Sequence, residues 1–328
     1  MWYRKTVARQ IERLWYLSYF NYARAVRIAQ KIANLKEIEH NPGLKLNILV
    51  IQGRLAILKN DYEEARTFTD QAEHYAQMDD PSIRLDRYHL LKSVMLIFDG
   101  EILEAKRLME STLEQSIALE DKIVLISLYY NLGEIEKETY HDYEKAHHYF
   151  NQSAQIAVSC KHPLLPRILM NQGVCSALSG DEQKALALCE KAVHAMNRTR
   201  NMIKKAVFYF LGAQLQWQLG KLSNAKVYLN SAEKWVILER DPYTSIDIFL
   251  LKGKIAYAEL CYDEALLFAD QANEIMEIHK LFTQSDDLQL LYKMANGALG
   301  EYGKAGIHRE LYRESLAKNK TQVERKRF

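Results

Sequence analysis

The sequence contains few of the residues that turn or break a chain. Only 13 Gly and 5 Pro occur in 328 residues, well below average usage, which favours long helices joined by short turns. The four Cys residues include no CxxC pair, so we expect small buried thiols in a reducing compartment rather than disulfides. No run of 18 apolar residues occurs, and charged residues follow the first three positions closely. We therefore expect a cytoplasmic protein with no membrane segment.

The sequence also has almost no excess of charge, because 44 basic residues nearly balance 42 acidic ones and the formal net charge is only +2. A chain this close to neutrality is not expected to bind nucleic acid as a whole. Residues 309–328 hold seven basic and three acidic residues, so the end of the chain is basic. We predict that residues 318–328 form a basic tail or a linker toward a further domain.

Motifs that carry chemistry are missing as well. The sequence contains no GxxxxGK[ST], GxGxxG, HExxH or GxSxG pattern, which argues against nucleotide, zinc-protease and serine-hydrolase sites. His141, His147 and His148 form a cluster, and we interpret them as solvated turn histidines rather than metal ligands. The sequence predicts no enzyme, no metal site and no cofactor.

One short sequence motif repeats along the chain: an aromatic or aliphatic residue, two polar residues, then Ala. These alanines, called the marker alanines below, are spaced by 40, 40, 41, 39, 40, 40 and 40 residues. Glycine or asparagine often lies five residues before a marker alanine, and a small residue lies seven after it. The marker alanines are Ala25, Ala65, Ala105, Ala146, Ala185, Ala225, Ala265 and Ala305.

A period of 40 residues predicts an array of helical hairpins. Each unit accommodates helix A, a short turn and helix B, with the marker alanine early in helix B. Small residues at fixed positions allow the helices to approach closely, and stacking of hairpins buries their apolar faces. The fourth unit has one extra residue near 139–142, which we expect to disturb the array locally. The repeats are predicted at 3–38, 42–79, 81–119, 121–160, 163–199, 201–239, 242–280 and 284–317 of an array spanning 1–317.

The spacing of Gly53, Tyr62, Ala65 and Ala72 resembles the tetratricopeptide repeat, and the stretch 253–272 matches it equally well. The period is longer than the usual 34 residues, and the early Trp of that repeat is absent. Long repeats of this kind are similar to those of bacterial peptide-pheromone receptors and signal-sensing regulators. The resemblance implies an all-α, right-handed superhelical solenoid of about eight hairpins.

The same resemblance implies that the A helices line a concave groove, which suggests candidate ligand contacts. Asn131 and Asn171 are 40 residues apart, two residues before the small Gly of their helices. An Asn at this place resembles the one that binds the ligand backbone or carboxylate in peptide-binding relatives, since an amide both donates and accepts. Basic residues on the same predicted wall are further candidates: Arg167, Arg54, Arg87 and Lys254. The alternative is that these side chains are merely solvated.

The first hairpin is crowded with aromatic residues. They form either a core against the second repeat or a self-association surface. The self-association alternative, a homodimer, would use Trp2, Trp15 and Tyr19.

Together these patterns predict a regulatory or adaptor module of bacterial signal transduction that binds a peptide or protein. Two alternatives stay open. One is a static self-associating scaffold. The other is a sensor domain cut from a larger signalling enzyme, such as a diguanylate cyclase, by analogy alone.

Overall fold

The computed structural model describes residues 2–78, 83–198, 204–279, 281 and 285–324, and within these ranges the chain is helical with no strand. The helices, in chain order, are α1 (Trp2–Phe20), α2 (Tyr22–Ala33), α3 (Lys36–Glu39), α4 (Pro42–Leu58), α5 (Tyr62–Ala76), α6 (Leu85–Phe98), α7 (Ile102–Leu119), α8 (Lys122–Ile135), α9 (Tyr143–Cys160), α10 (Leu165–Leu178), α11 (Glu182–Arg198), α12 (Lys205–Gln218), α13 (Leu222–Glu239), α14 (Pro242–Ala258), α15 (Tyr262–His279), α16 (Ser285–Ala298) and α17 (Tyr302–Glu324).

The helices pair into antiparallel hairpins, as the 40-residue period predicts. The first unit (unit 1, Met1–Ile203) contains the hairpins α1/α2, α4/α5, α6/α7, α8/α9 and α10/α11. The second (unit 2, Lys204–Phe328) contains α12/α13, α14/α15 and α16/α17. The all-α repeat fold is therefore confirmed in the described part of the chain. Short helix α3 is an extra turn between the first two hairpins.

The marker alanines explain why the hairpins stay tight. Seven of the eight, from Ala25 to Ala265, are fully buried in the first turn of a B helix. The small residue of helix A faces the partner helix closely: a Cβ atom built on Gly133 would lie 2.7 Å from the Phe150 ring. A larger residue at such a position would force the two helices apart.

The turns between A and B helices use the left-handed backbone that the glycine positions predict. Gly100, Gly180, Gly220 and Gly300 have φ values between 68° and 83°. Asn60, His141 and Leu260 fill the same place in other repeats, with φ values of 65°, 54° and 66°. Leucine there is unusual because its side chain disfavours this conformation.

The extra residue of the fourth repeat becomes a π-helical turn at the end of α8, Glu136–Tyr140. A π turn adds one residue per hydrogen-bonded loop, so it absorbs the insertion without changing the hairpin. The turn also carries Lys137 into a buried position. The predicted local disturbance is thus a specific feature of helix A.

At the other end of the chain, α17 continues to Glu324 and so runs through the first residues of the predicted tail. Among the described residues, no helix is long and apolar enough to cross a membrane.

Candidate functional site

Polar side chains line one face of the A helices of unit 1, and this face is called the A-helix wall below. On α8 the face is formed at helical spacing by Ser127, Tyr130, Asn131 and Glu134. Side chains on α4, α6 and α10 contact either a neighbouring A helix or α1. The wall is defined by Arg54, Arg87, Ser127, Tyr130, Asn131, Glu134, Arg167 and Asn171.

One part of the wall is a buried ion-pair cluster that fixes α1 against α6 and α8. Both terminal nitrogens of Arg87 donate to Glu12 of α1 at 2.8 Å. The same guanidinium and that of Arg84 each donate to Asp121 at 2.9 Å. Burial alone would raise the pKa of Asp121, but Arg87, Arg84 and the Val124 N–H lower it below its usual range. The predicted ligand residue Arg87 is therefore engaged with carboxylates of its own chain.

Arg54 lies further along the wall without such a partner. Its guanidinium stacks 3.3 Å over the Tyr19 ring, and its Nε donates to the Ser18 hydroxyl at 3.2 Å. Burial lowers the pKa of Arg54, and in the described part of the chain no carboxylate offsets that effect. The stacking and the hydroxyl hold the cation, but they do not neutralise its charge.

His162 packs against the same aromatic residue. Its ring centre lies 5.4 Å from that of Tyr19, and its Nδ1 accepts from the Leu164 N–H at 3.2 Å. Its Nε2 is buried with no hydrogen-bond partner among the described atoms. Burial and the nearby Arg54 lower the pKa of His162 to about 3, so the ring is neutral.

Two of the aromatic residues of α1, Trp15 and Tyr19, form core, which is the first of the two alternatives. Trp15 is 1% exposed and Tyr19 is 4% exposed. Both rings are covered by the chain itself, with Arg87 beside Trp15 at 4.8 Å. Because neither ring reaches the surface of the chain, these two residues belong to its core, and a homodimer stays a prediction. The side chain of Trp2 lies outside the described residues.

A second buried polar cluster joins α8, the π turn and α10. The Asn171 amide oxygen accepts from the Lys137 ammonium at 2.6 Å, and its nitrogen donates to Tyr130 at 3.2 Å and to Glu134. Burial alone would lower the pKa of Lys137, but Glu134 and Glu138 raise it above its usual range. Asn171 is fully buried, so its amide organises this cluster in the structure.

Arg167 and Asn131 border that cluster and remain available. One terminal nitrogen of Arg167 donates to the Tyr130 hydroxyl at 2.9 Å, while its Nε is buried with no partner among the atoms that the structure describes. Burial raises the pKa of Tyr130 to about 12, so the phenol stays neutral. Asn131 is half-buried, and its amide forms no hydrogen bond with the described residues. These two side chains have unused hydrogen-bonding capacity.

The last candidate, Lys254, belongs to unit 2. Its ammonium pairs with Asp287 at 3.1 Å, and both side chains are partly exposed. The pair links successive A helices, α14 and α16, and it occupies positions equivalent to Arg54 and Arg87 in the repeat.

Sequence reasoning missed Tyr130, Glu134, Lys137 and His162. Tyr130 and Glu134 lie on the α8 face beside the predicted Asn131, so helical spacing alone could have found them. Lys137 is placed by the π turn, and the buried site of His162 depends on α1. Neither has a signal in the repeat pattern.

Comparisons with known proteins identify the fold rather than a family. No protein-family model matches the sequence. No curated protein matches it either.

Solved structures of similar fold exist. A Rap protein in complex with competence and sporulation factor has a TM-score of 0.72 and 16% identity, over 97% of this chain and 99% of that chain. The Rap conjugation gene regulator of plasmid pLS20, in complex with the Phr* peptide, has a TM-score of 0.60 and 12% identity, over 94% and 96%.

A third similar structure is a signal-transduction ATPase of the STAND class with a tetratricopeptide repeat sensor, from Pyrococcus horikoshii. It has a TM-score of 0.55 and 16% identity, and it matches 95% of this chain but 48% of its own. Together with the hairpins above, these likenesses define the chain as a tetratricopeptide-like helical repeat protein.

Proposed function

We propose that this protein is a regulatory module of bacterial signal transduction that binds a peptide, or an extended protein segment, on the A-helix wall of unit 1. The observation that carries the proposal is the pair of available side chains at Asn131 and Arg167. They lie on successive A helices, and together they offer an amide donor, an amide acceptor and charged donors. This combination suits the alternating N–H and C=O groups of an extended backbone.

The surrounding residues support a prepared site. Tyr130, Glu134 and Lys137 are held by hydrogen bonds through Asn171, so the wall behind the site is rigid. A rigid wall lowers the entropy cost of binding. The two Rap structures of similar fold, which are described with a bound factor and a bound peptide, add support by analogy only.

Regulation would follow from the array. A ligand that bridges α8 and α10 favours one of two arrangements of these hairpins. The shift in their equilibrium is set by the difference in the ligand's affinity for the two arrangements. The protein would act without chemistry of its own, in the cytoplasm.

Selection from a displayed library of random heptapeptides tests the proposal. We expect the wild-type protein to enrich a defined set of peptides, and Asn131→Ala to lose most of that enrichment. Asn151→Ala is the matched control, because Asn151 is an exposed asparagine on the B helix α9. The proposal is wrong if no set is enriched, or if both variants enrich the same peptides as the wild type.

A further inference from the structure

The first hairpin carries a strongly basic surface that the near-neutral net charge of the chain conceals. Residues 2–33, which hold α1 and α2, contain seven basic residues and one acidic residue, Glu12. That carboxylate is bound by both terminal nitrogens of Arg87. The hairpin α1/α2 therefore presents positive charge that nothing within it offsets.

The basic side chains form two rows. On α1, Arg9 and Arg13 are exposed at i and i+4, and on α2, Arg24, Arg27 and Lys31 are exposed at i, i+3 and i+7. Residues at these spacings share one face of a helix. Among the described side chains none of the five has a carboxylate partner. The five are called the basic hairpin surface below.

The two rows meet at a shallow pocket. It has a volume of about 410 Å³ and is lined by Arg13, Arg24, Tyr16, Leu17 and Glu12. Tyr16 is 52% exposed, and it lines the pocket together with one arginine from each helix. An exposed aromatic ring flanked by arginines can stack on a nucleobase while the guanidinium groups bind phosphates.

The chemistry of the surface favours phosphate over other anions. Four of its five cations are arginines, whose planar fork matches the phosphate geometry. The centres of protein–protein interfaces are depleted of charged residues, whereas this surface is mostly charge. Membrane insertion needs an apolar face. The apolar face of α1, which includes Ile11, Leu14 and Trp15, is buried in the core.

We infer that the basic hairpin surface binds the phosphate backbone of nucleic acid, with Tyr16 as a stacking platform. This surface is separate from the peptide site on the A-helix wall, so either inference can fail without the other.

The test is fluorescence anisotropy with two labelled probes, a 24-base-pair DNA duplex and a single-stranded 24-nucleotide RNA. Full neutralisation of five phosphates predicts a slope of log affinity against log salt of about −4.5 for the duplex and about −3.5 for the single strand. Between 50 and 200 mM salt the affinity should therefore fall about 500-fold for the duplex and about 130-fold for the single strand. Binding of either probe with such a slope supports the inference, and preference for one probe identifies the form of nucleic acid.

The key variant is Arg13→Gln/Arg24→Gln/Arg27→Gln, which changes exposed residues and should leave the fold intact. We expect its affinity to fall at least 30-fold at 50 mM salt and its slope to be reduced by more than half. The matched control is Lys184→Gln/Lys191→Gln/Arg198→Gln on α11, which also removes three exposed cations. The control should retain most of the wild-type affinity.

Three outcomes would overturn the inference. The first is no binding of either probe at 50 mM salt and 10 µM protein. The second is an equal loss of affinity in both triple variants. The third is stronger binding of polyglutamate, or of vesicles with anionic lipid, than of either nucleic acid probe, since the surface would then serve an acidic protein or a membrane.

Discussion

Two pairs of repeat-equivalent residues in unit 1 have opposite environments. Asn131 and Asn171 occupy the same position of successive repeats, yet among the described residues the Asn131 amide has no hydrogen-bond partner while the Asn171 amide is fully engaged. Arg87 and Arg167 are likewise equivalent, yet Arg87 pairs with two carboxylates while Arg167 pairs with none in the described part of the chain. The position in the repeat therefore fixes where a side chain points. The residues around that side chain determine whether it stabilises the fold or remains available for a ligand.

The first prediction compares the stability lost when each of the two equivalent arginines, Arg87 and Arg167, is replaced. Arg87→Met should reduce the free energy of unfolding by about 3 kcal/mol, because it removes a cation from the buried Asp121 and from the half-exposed Glu12. Arg167→Met should cost about 1 kcal/mol or less, because Asn171 still donates to Tyr130. Urea unfolding followed by circular dichroism measures both values. Equal losses in the two variants would show that the arginines do not differ.

A second expected effect concerns pH and the unpaired Arg54. The His162 pKa is about 3 in the folded chain, against about 6.5 when unfolded. Because the folded pKa is the lower one, the neutral ring contributes fully above pH 6.5 and its contribution is lost as the pH falls toward 3. At pH 5 the loss should be about 2 kcal/mol relative to pH 8.

The variant His162→Asn, which keeps an acceptor for the Leu164 N–H, should remove most of this loss. Arg54→Met should reduce it, since Arg54 is one of the two causes of the low pKa. Thermal unfolding at a series of pH values checks both. An unchanged pH profile in His162→Asn would show that other groups control acid stability.

The smallest expected difference in stability is between the two asparagine variants. Asn171→Ala should cost about 1–2 kcal/mol, because the buried Lys137 ammonium loses an acceptor and Glu134 loses a donor. Asn131→Ala should change the free energy of unfolding by less than about 0.5 kcal/mol. Urea unfolding measures the free energy of unfolding of both variants. A larger loss of stability for Asn131→Ala would contradict the assignment of that amide as free.

The sequence predicted the repeat well because the repeat is local and periodic. The marker alanines and the turn glycines each mark a close helix approach or a left-handed turn, and the structure has them at those places. The wall was placed on the A helices by analogy, and the predicted side chains of unit 1 lie on those helices; their role in ligand binding stays a prediction.

The partners of those side chains could not be predicted from the repeat. Glu12 reaches Arg87 across 75 residues, and Lys137 is placed by a one-residue insertion that shifts the helix end. Neither position repeats, so no periodic signal exists. The basic hairpin surface was missed for another reason. In the net charge of the whole chain, the positive charge of the first hairpin is cancelled by the negative charge of the rest of the sequence.

The central claim is that Asn131 and Arg167 serve a ligand rather than the fold. The most direct measurement is the thermal unfolding midpoint of the wild type and of Asn131→Ala/Arg167→Gln, each with and without a saturating concentration of an enriched heptapeptide. The account predicts that the peptide raises the midpoint of the wild type only, while the two proteins unfold within a few degrees of each other without it. A peptide-induced rise of equal size in both proteins would contradict the account.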